Sequence, residues 1–171
     1  MSWIHSSSIK KEADTFIGYL LLDAWIGNSD RHHENWAFVA LEGKSYLAPT
    51  YDHASCLGRN ESDERRAKRL QTKDLGFSVA AYAKKCKSCL YAKVGDQKPL
   101  TTFDAFCEAA KLYPQAANIW LDSLEKISPK NTFELFQRIP DNCISSTAIQ
   151  FAQQILEINQ NKLLEFSQDK R

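Results

Sequence analysis

The chain has 171 residues, 43% apolar and 25% charged, with 22 Lys and Arg against 21 Asp and Glu. A chain this long buries about 70% of the surface it exposes when unfolded, enough for one core, which excludes a disordered polymer and a disulfide-stapled mini-scaffold. The near-balanced charge excludes bulk electrostatic attraction to nucleic acid or to an anionic membrane and leaves only local patches.

Met1 to Asp14 carries His5, Lys10, Lys11, Glu12 and Asp14 around Ser6-Ser7-Ser8, without the apolar run of a secretion leader. No stretch approaches the roughly 18 consecutive apolar residues that a membrane helix needs. Five cysteines, Cys56, Cys86, Cys89, Cys107 and Cys143, are an odd number in a chain large enough to fold without them. Reduced thiols in a cytoplasm are the expectation.

Glu12 to Ile26 repeats apolar residues at Ala13, Phe16, Ile17, Leu20, Leu21 and Ala24, the spacing of one helix face. Tyr19, Leu22, Trp25 and Ile26 widen that face, so the helix is expected to be buried over most of its circumference, ending at Gly27-Asn28. Eight polar residues follow, Asn28 to Asn35, and read as a loop. Trp36 to Leu41 and Ser45 to Ala48 then read as two strands of a hairpin around Glu42-Gly43-Lys44. With Gly43-Lys44 as its two-residue loop, Asn35 falls opposite Asp52 at the open end.

Arg59 to Asp74 is highly charged and reads as a solvated helix or a loop ordered on binding, suited to a lid. Its basic residues Arg65, Arg66, Lys68 and Arg69 are flanked by Glu61, Asp63, Glu64 and Asp74, so a solvated face is favoured over a phosphate-binding one. The rest is helical: near Ser78 to Lys85, Phe103 to Leu112 capped by Thr101 or Thr102, Ala116 to Ile127, Thr132 to Arg138 and Ser146 to Phe166. Pro99, Pro114, Pro129 and Pro140 punctuate these segments. Cys86-x-x-Cys89 has the spacing of half a zinc site, but without a second pair it reads as two free thiols.

The chemistry concentrates between the first helix and Gly58. Asp30 and Asn35 lie in one polar loop, the hairpin follows, and Asp52 comes next in Tyr51-Asp52-His53. Phosphoryl transfer needs such an inventory: an Asp to accept or orient the proton of an attacking hydroxyl, and an Asn oxygen with a second Asp carboxylate to hold Mg²⁺ against the phosphates. Solvent or a cation such as Arg31 or His32 would keep Asp30 ionised. His33 and His53 read as loop histidines with local hydrogen bonds, and Trp25 and Trp36 as core residues.

Ile26-Gly27-Asn28-Ser29-Asp30-Arg31-His32-His33-Glu34-Asn35, followed by Leu47-Ala48-Pro49-Thr50-Tyr51-Asp52-His53, resembles the catalytic loop and metal-binding Asp segment of HipA-like serine/threonine kinases. The Asp-Arg-His-x-x-Asn core is also similar to that of phosphatidylinositol 3- and 4-kinases, but no basic amphipathic membrane helix accompanies it. The Ala48–Gly58 segment and the helices after it tilt the resemblance towards the HipA-like C-terminal domain. It implies a mainly α (α+β) fold: a single helical C-terminal lobe of a protein-kinase-like fold over residues 1–171, with a small hairpin carrying the metal site. It implies Asp30 as catalytic base, His32 as a loop-ordering member of the catalytic set, Asn35 and Asp52 as Mg²⁺ and nucleotide ligands, and ATP as phosphate donor. It further implies a protein Ser or Thr substrate and a toxin–antitoxin setting, often with a helix-turn-helix partner.

Such kinases also carry an N-terminal lobe with a phosphate-covering loop and a Lys. The six glycines, 18, 27, 43, 58, 76 and 95, form no phosphate-binding pattern. The expectation is that the nucleotide-covering lobe is absent here, the chain being a truncated product or one half of a split kinase whose other lobe is a separate polypeptide, with a non-catalytic interaction module or a truncated, inactive kinase remnant as the alternative.

Overall fold

The structure is a computed structural model and describes residues 12–168; the leader-free reading of Met1–Lys11 lies outside them. In chain order the elements are α1 (Glu12–Ile26), β1 (Phe38–Leu41), β2 (Lys44–Leu47), α2 (Asp63–Gln71), α3 (Val79–Lys84), α4 (Thr102–Leu112), α5 (Pro114–Glu125), α6 (Pro129–Phe136) and α7 (Ser146–Gln168). The result is a helical bundle with one antiparallel hairpin, and it matches the predicted fold class at that level.

The broad apolar face of α1 has a structural cause: the helix runs through the middle of the bundle and packs on α4, α5 and α7. Leu20, Leu21, Phe106, Leu121 and Leu163 share the main core, and Val79, Phe151 and Ile155 form a smaller one beneath α2 and α3. Polar cross-ties fix how α1 meets α7: Trp25 Nε1 donates to Leu156 O at 3.2 Å, and Asn159 Nδ2 donates to Trp25 O at 3.0 Å. Gly27, at φ 62°, ends α1, and Asn28 N–H reaches back to Asp23 O at 2.9 Å, a Schellman closure.

Three expectations shift. Pro114 and Pro129 begin α5 and α6 instead of separating them, because a first-turn residue needs no N–H of its own. The hairpin loop is Glu42-Gly43, both at positive φ, so Phe38 pairs with Leu47 and Leu41 with Lys44. Followed outwards through the Ala48 N–H bond to Ala37 O at 2.8 Å, this register sets Asn35 level with Thr50 and not with Asp52.

The charged segment before Phe77 is the third. Ser62 caps α2, which lies along α7 with Leu70 packed on the smaller core. Arg65 and Arg69 both pair with Glu61 at 3.1 Å, Arg66 pairs with Asp63 at 2.5 Å, and Arg69 covers the Phe77 ring at 4.3 Å. The basic charge is thus largely neutralised internally, as the solvated-face reading expects, and the segment is packed in place, which argues against a lid.

Candidate functional site

Two polar segments meet where α1 ends. The first, Asn28 to Asn35, and the second, Thr50 to Leu57, run alongside each other and are sewn together: Leu57 N donates to Ile26 O at 2.9 Å, Ser29 N to Ser55 O at 3.2 Å, and Tyr51 Oη to Glu34 O at 2.7 Å. Tyr19 on α1 holds the end of the hairpin through a 2.9 Å bond to Ala48 O.

Arg31 is the centre of this junction. It is 1% exposed, facing Asp23 of α1, which is 3% exposed. Arg31 Nε donates to Asp23 Oδ2 at 2.7 Å and Nη2 to Asp23 Oδ1 at 2.8 Å, a bidentate buried pair. Asn28, fully buried, donates from Nδ2 to Asp23 Oδ1 at 2.9 Å and accepts from Asp30 N at 3.2 Å. The remaining guanidinium contacts go outward: Nη1 to Asn35 O at 2.6 Å, and Nη2 to Thr50 Oγ1 at 2.8 Å and to His53 Nε2 at 3.1 Å. Thr50 Oγ1 and His53 Nε2 are themselves 2.8 Å apart. Nη2 has two N–H bonds for Asp23 Oδ1, Thr50 Oγ1 and His53 Nε2, so these three atoms share it. Burial first, and then the Arg31 charge, hold the His53 pKa below its ordinary value.

The expected role of Arg31 as a cation for Asp30 is therefore corrected: its charge is committed to Asp23, inside the protein. His32 keeps the neighbouring place. Its Nε2 lies 3.7 Å from Asp30 Oδ1, and its Nδ1 accepts from Glu34 N at 3.2 Å, so it ties the loop to itself. The Asp30 side chain is 41% exposed and open to an incoming group. Its charge also reaches Cys89: burial and then Asp30 push that thiol's pKa up.

Asn35 is buried, and its Nδ2 donates to Asp30 O at 2.6 Å. That bond orients the amide and leaves Oδ1 without a hydrogen-bond partner among the described residues. Asp52, exposed and at φ 51°, likewise has no such partner for its carboxylate. An amide oxygen and a carboxylate are hard donors suited to Mg²⁺, with its remaining positions left to phosphate oxygens and water. Among the described residues no group of three or more His, Cys, Asp and Glu gathers as a self-sufficient metal cage. The two ligand candidates flank the hairpin, one before β1 and one after β2.

Sequence reasoning missed Asp23, Asn28 and Thr50. The available signal was an acidic residue inside the most apolar helix, a short distance before the polar loop's arginine. All five cysteines are free of disulfides, with Cys86 buried and Cys89 exposed. A cavity of about 400 Å³ lies beside the second segment, lined by His53, Leu57, Arg66 and Ala152 among others. A cavity of about 670 Å³ between α2 and α7 contains none of Asp30, Asn35 or Asp52. No helix among the described residues is long and apolar enough to cross a membrane.

No protein-family model and no curated protein matches the sequence. Among solved structures, that of a Helicobacter pylori proinflammatory kinase, CtkA, is similar, with a TM-score of 0.66 and 22% identity over 92% of this chain and 53% of that one. The chain thus spans about half the length of that kinase, and at this identity the likeness is one of fold: a kinase-like fold, mostly helical, with a two-stranded hairpin.

Proposed function

We propose that these residues form the catalytic-loop half of a HipA-like serine/threonine kinase, which moves the terminal phosphoryl group of ATP to a Ser or Thr hydroxyl of a protein. The supporting observation is that one buried guanidinium joins the segments carrying Asp30, Asn35 and Asp52 while Asn35 Oδ1 and the Asp52 carboxylate keep no hydrogen-bond partner among the described residues. Asp30 accepts or orients the proton of the attacking hydroxyl, and its exposure gives that hydroxyl access. His32 keeps the loop ordered beside it. Asn35 Oδ1 and Asp52 hold Mg²⁺, which when bound supplies neutralisation of the phosphate charge.

Positioning and charge neutralisation carry most of phosphoryl transfer, so a nucleotide-covering lobe outside these 171 residues completes the catalyst. A cytoplasmic toxin–antitoxin setting and a helix-turn-helix partner belong to the same proposal. Calorimetric titration of ATP with Mg²⁺ and with EDTA tests it on wild type, Asp52→Asn and Asp30→Asn. The expected result is binding that needs Mg²⁺ and Asp52 and survives Asp30→Asn. Binding indifferent to both Mg²⁺ and Asp52, or none even with a completing lobe, overturns it and leaves an interaction module.

A further inference from the structure

We propose that Arg31 is the positioning residue of the metal pair: it gauges the separation of Asn35 and Asp52 by holding the backbone carbonyl of Asn35 on one side and the side chains of Thr50 and His53, which flank Asp52, on the other. This rests on the reading of Asn35 and Asp52 as Mg²⁺ ligands. On one side, Arg31 Nη1 binds the carbonyl of Asn35 itself at 2.6 Å. On the other, Nη2 grasps Thr50 at 2.8 Å and His53 at 3.1 Å, and these two side chains meet at 2.8 Å. Thr50 and His53 bracket Tyr51 and Asp52, so their closure makes a side-chain-bonded turn with Asp52 inside it.

Asp52 sits in that turn at φ 51°, a left-handed conformation that Asp tolerates better than most L-residues. The Arg31–Thr50–His53 contact closes around it. Asp23 in turn anchors the guanidinium to α1 through two bonds of 2.7 and 2.8 Å, so the gauge is referred to the core of the bundle. A planar fork with donors in fixed directions can serve Asp23, Asn35 and Thr50 at once, and a lysine ammonium cannot reproduce those directions.

The test is Mn²⁺ titration, followed by electron paramagnetic resonance, of the 171-residue chain and its Thr50→Val, Thr50→Ser, Arg31→Lys and Asp52→Asn variants, each with a melting curve. Val keeps the shape of Thr and loses the hydroxyl, whereas Ser keeps the hydroxyl. Thr50→Val is expected to weaken Mn²⁺ binding about 10- to 100-fold, the usual effect of losing a group that orients a metal ligand, with Thr50→Ser close to wild type. Arg31→Lys is expected to lose at least as much; if it does not fold, the Thr50 pair carries the test. Thr50→Val binding like wild type, or equal loss in Val and Ser, overturns the proposal. Wild type that binds no Mn²⁺, or binding untouched by Asp52→Asn, overturns the metal reading beneath it, so the two failures are distinguishable.

Discussion

Replacing Asp23 by Asn probes the buried pair at the heart of the junction. The substitution changes almost no volume, but it removes the negative charge opposite an arginine that is 1% exposed. Asp23 now accepts three side-chain bonds, from Arg31 Nε at 2.7 Å, Arg31 Nη2 at 2.8 Å and Asn28 Nδ2 at 2.9 Å. An amide keeps one acceptor oxygen and turns an NH₂ towards another donor, so at least one buried donor and a whole positive charge lose compensation. Breaking one side of a buried ion pair costs about 3–5 kcal/mol, against a total domain stability of about 5–15 kcal/mol. At about 2–4 °C per kcal/mol for a chain of this size, the melting temperature should fall by about 6–20 °C. Thermal and urea unfolding followed by circular dichroism measure it. A loss under about 1 kcal/mol, the range of an exposed salt bridge, refutes the reasoning. The double variant Asp23→Leu/Arg31→Met should recover much of the stability, because an apolar pair needs no charge compensation, while losing the hold on Asn35 and Thr50.

Other perturbations address the frame around the site. Phe151→Ala, at a fully buried position in the smaller core, should cost about 3–5 kcal/mol by urea unfolding. Thr101→Ala removes the α4 cap that accepts from Asp104 N at 3.0 Å, and should cost about 1 kcal/mol by the same measure. Burial pushes the Cys56 and Cys86 thiols up to about 11 from an ordinary 9.0. Their folded pKa values are raised, so the stability they contribute is full below pH 9 and is lost as pH rises towards 11. Urea midpoints at pH 8 and pH 10.5 should therefore fall less in a Cys56→Ala/Cys86→Ala variant than in wild type; equal falls contradict this.

The helices were legible wherever apolar spacing and caps agreed. α1 lies over its predicted range, and Ser78 and Thr101 cap the helices they precede. The hairpin was legible as a hairpin but not in register, since a shift of its loop by one residue, from Gly43-Lys44 to Glu42-Gly43, moves every pairing. Asp30, Asn35 and Asp52 stood out because phosphoryl transfer calls for those groups in that order. The segments bearing them do run side by side, but through Arg31 and not through the hairpin ladder. The destination of Arg31 was hidden because eight polar residues in a row read as solvated, and only the three-dimensional position of Asp23 shows why this one is buried. The docking of α2 was hidden likewise: local charge pairs neutralise its surface, and one leucine anchors it.

The most direct test of the account is anomalous diffraction from crystals of the chain soaked with MnCl₂ and a non-hydrolysable ATP analogue. The account predicts a Mn²⁺ peak bound by both Asn35 Oδ1 and an Asp52 carboxylate oxygen, with phosphate oxygens completing its shell and Asp30 left free of the metal. A peak bound by neither residue, or nucleotide held with no metal between Asn35 and Asp52, contradicts it.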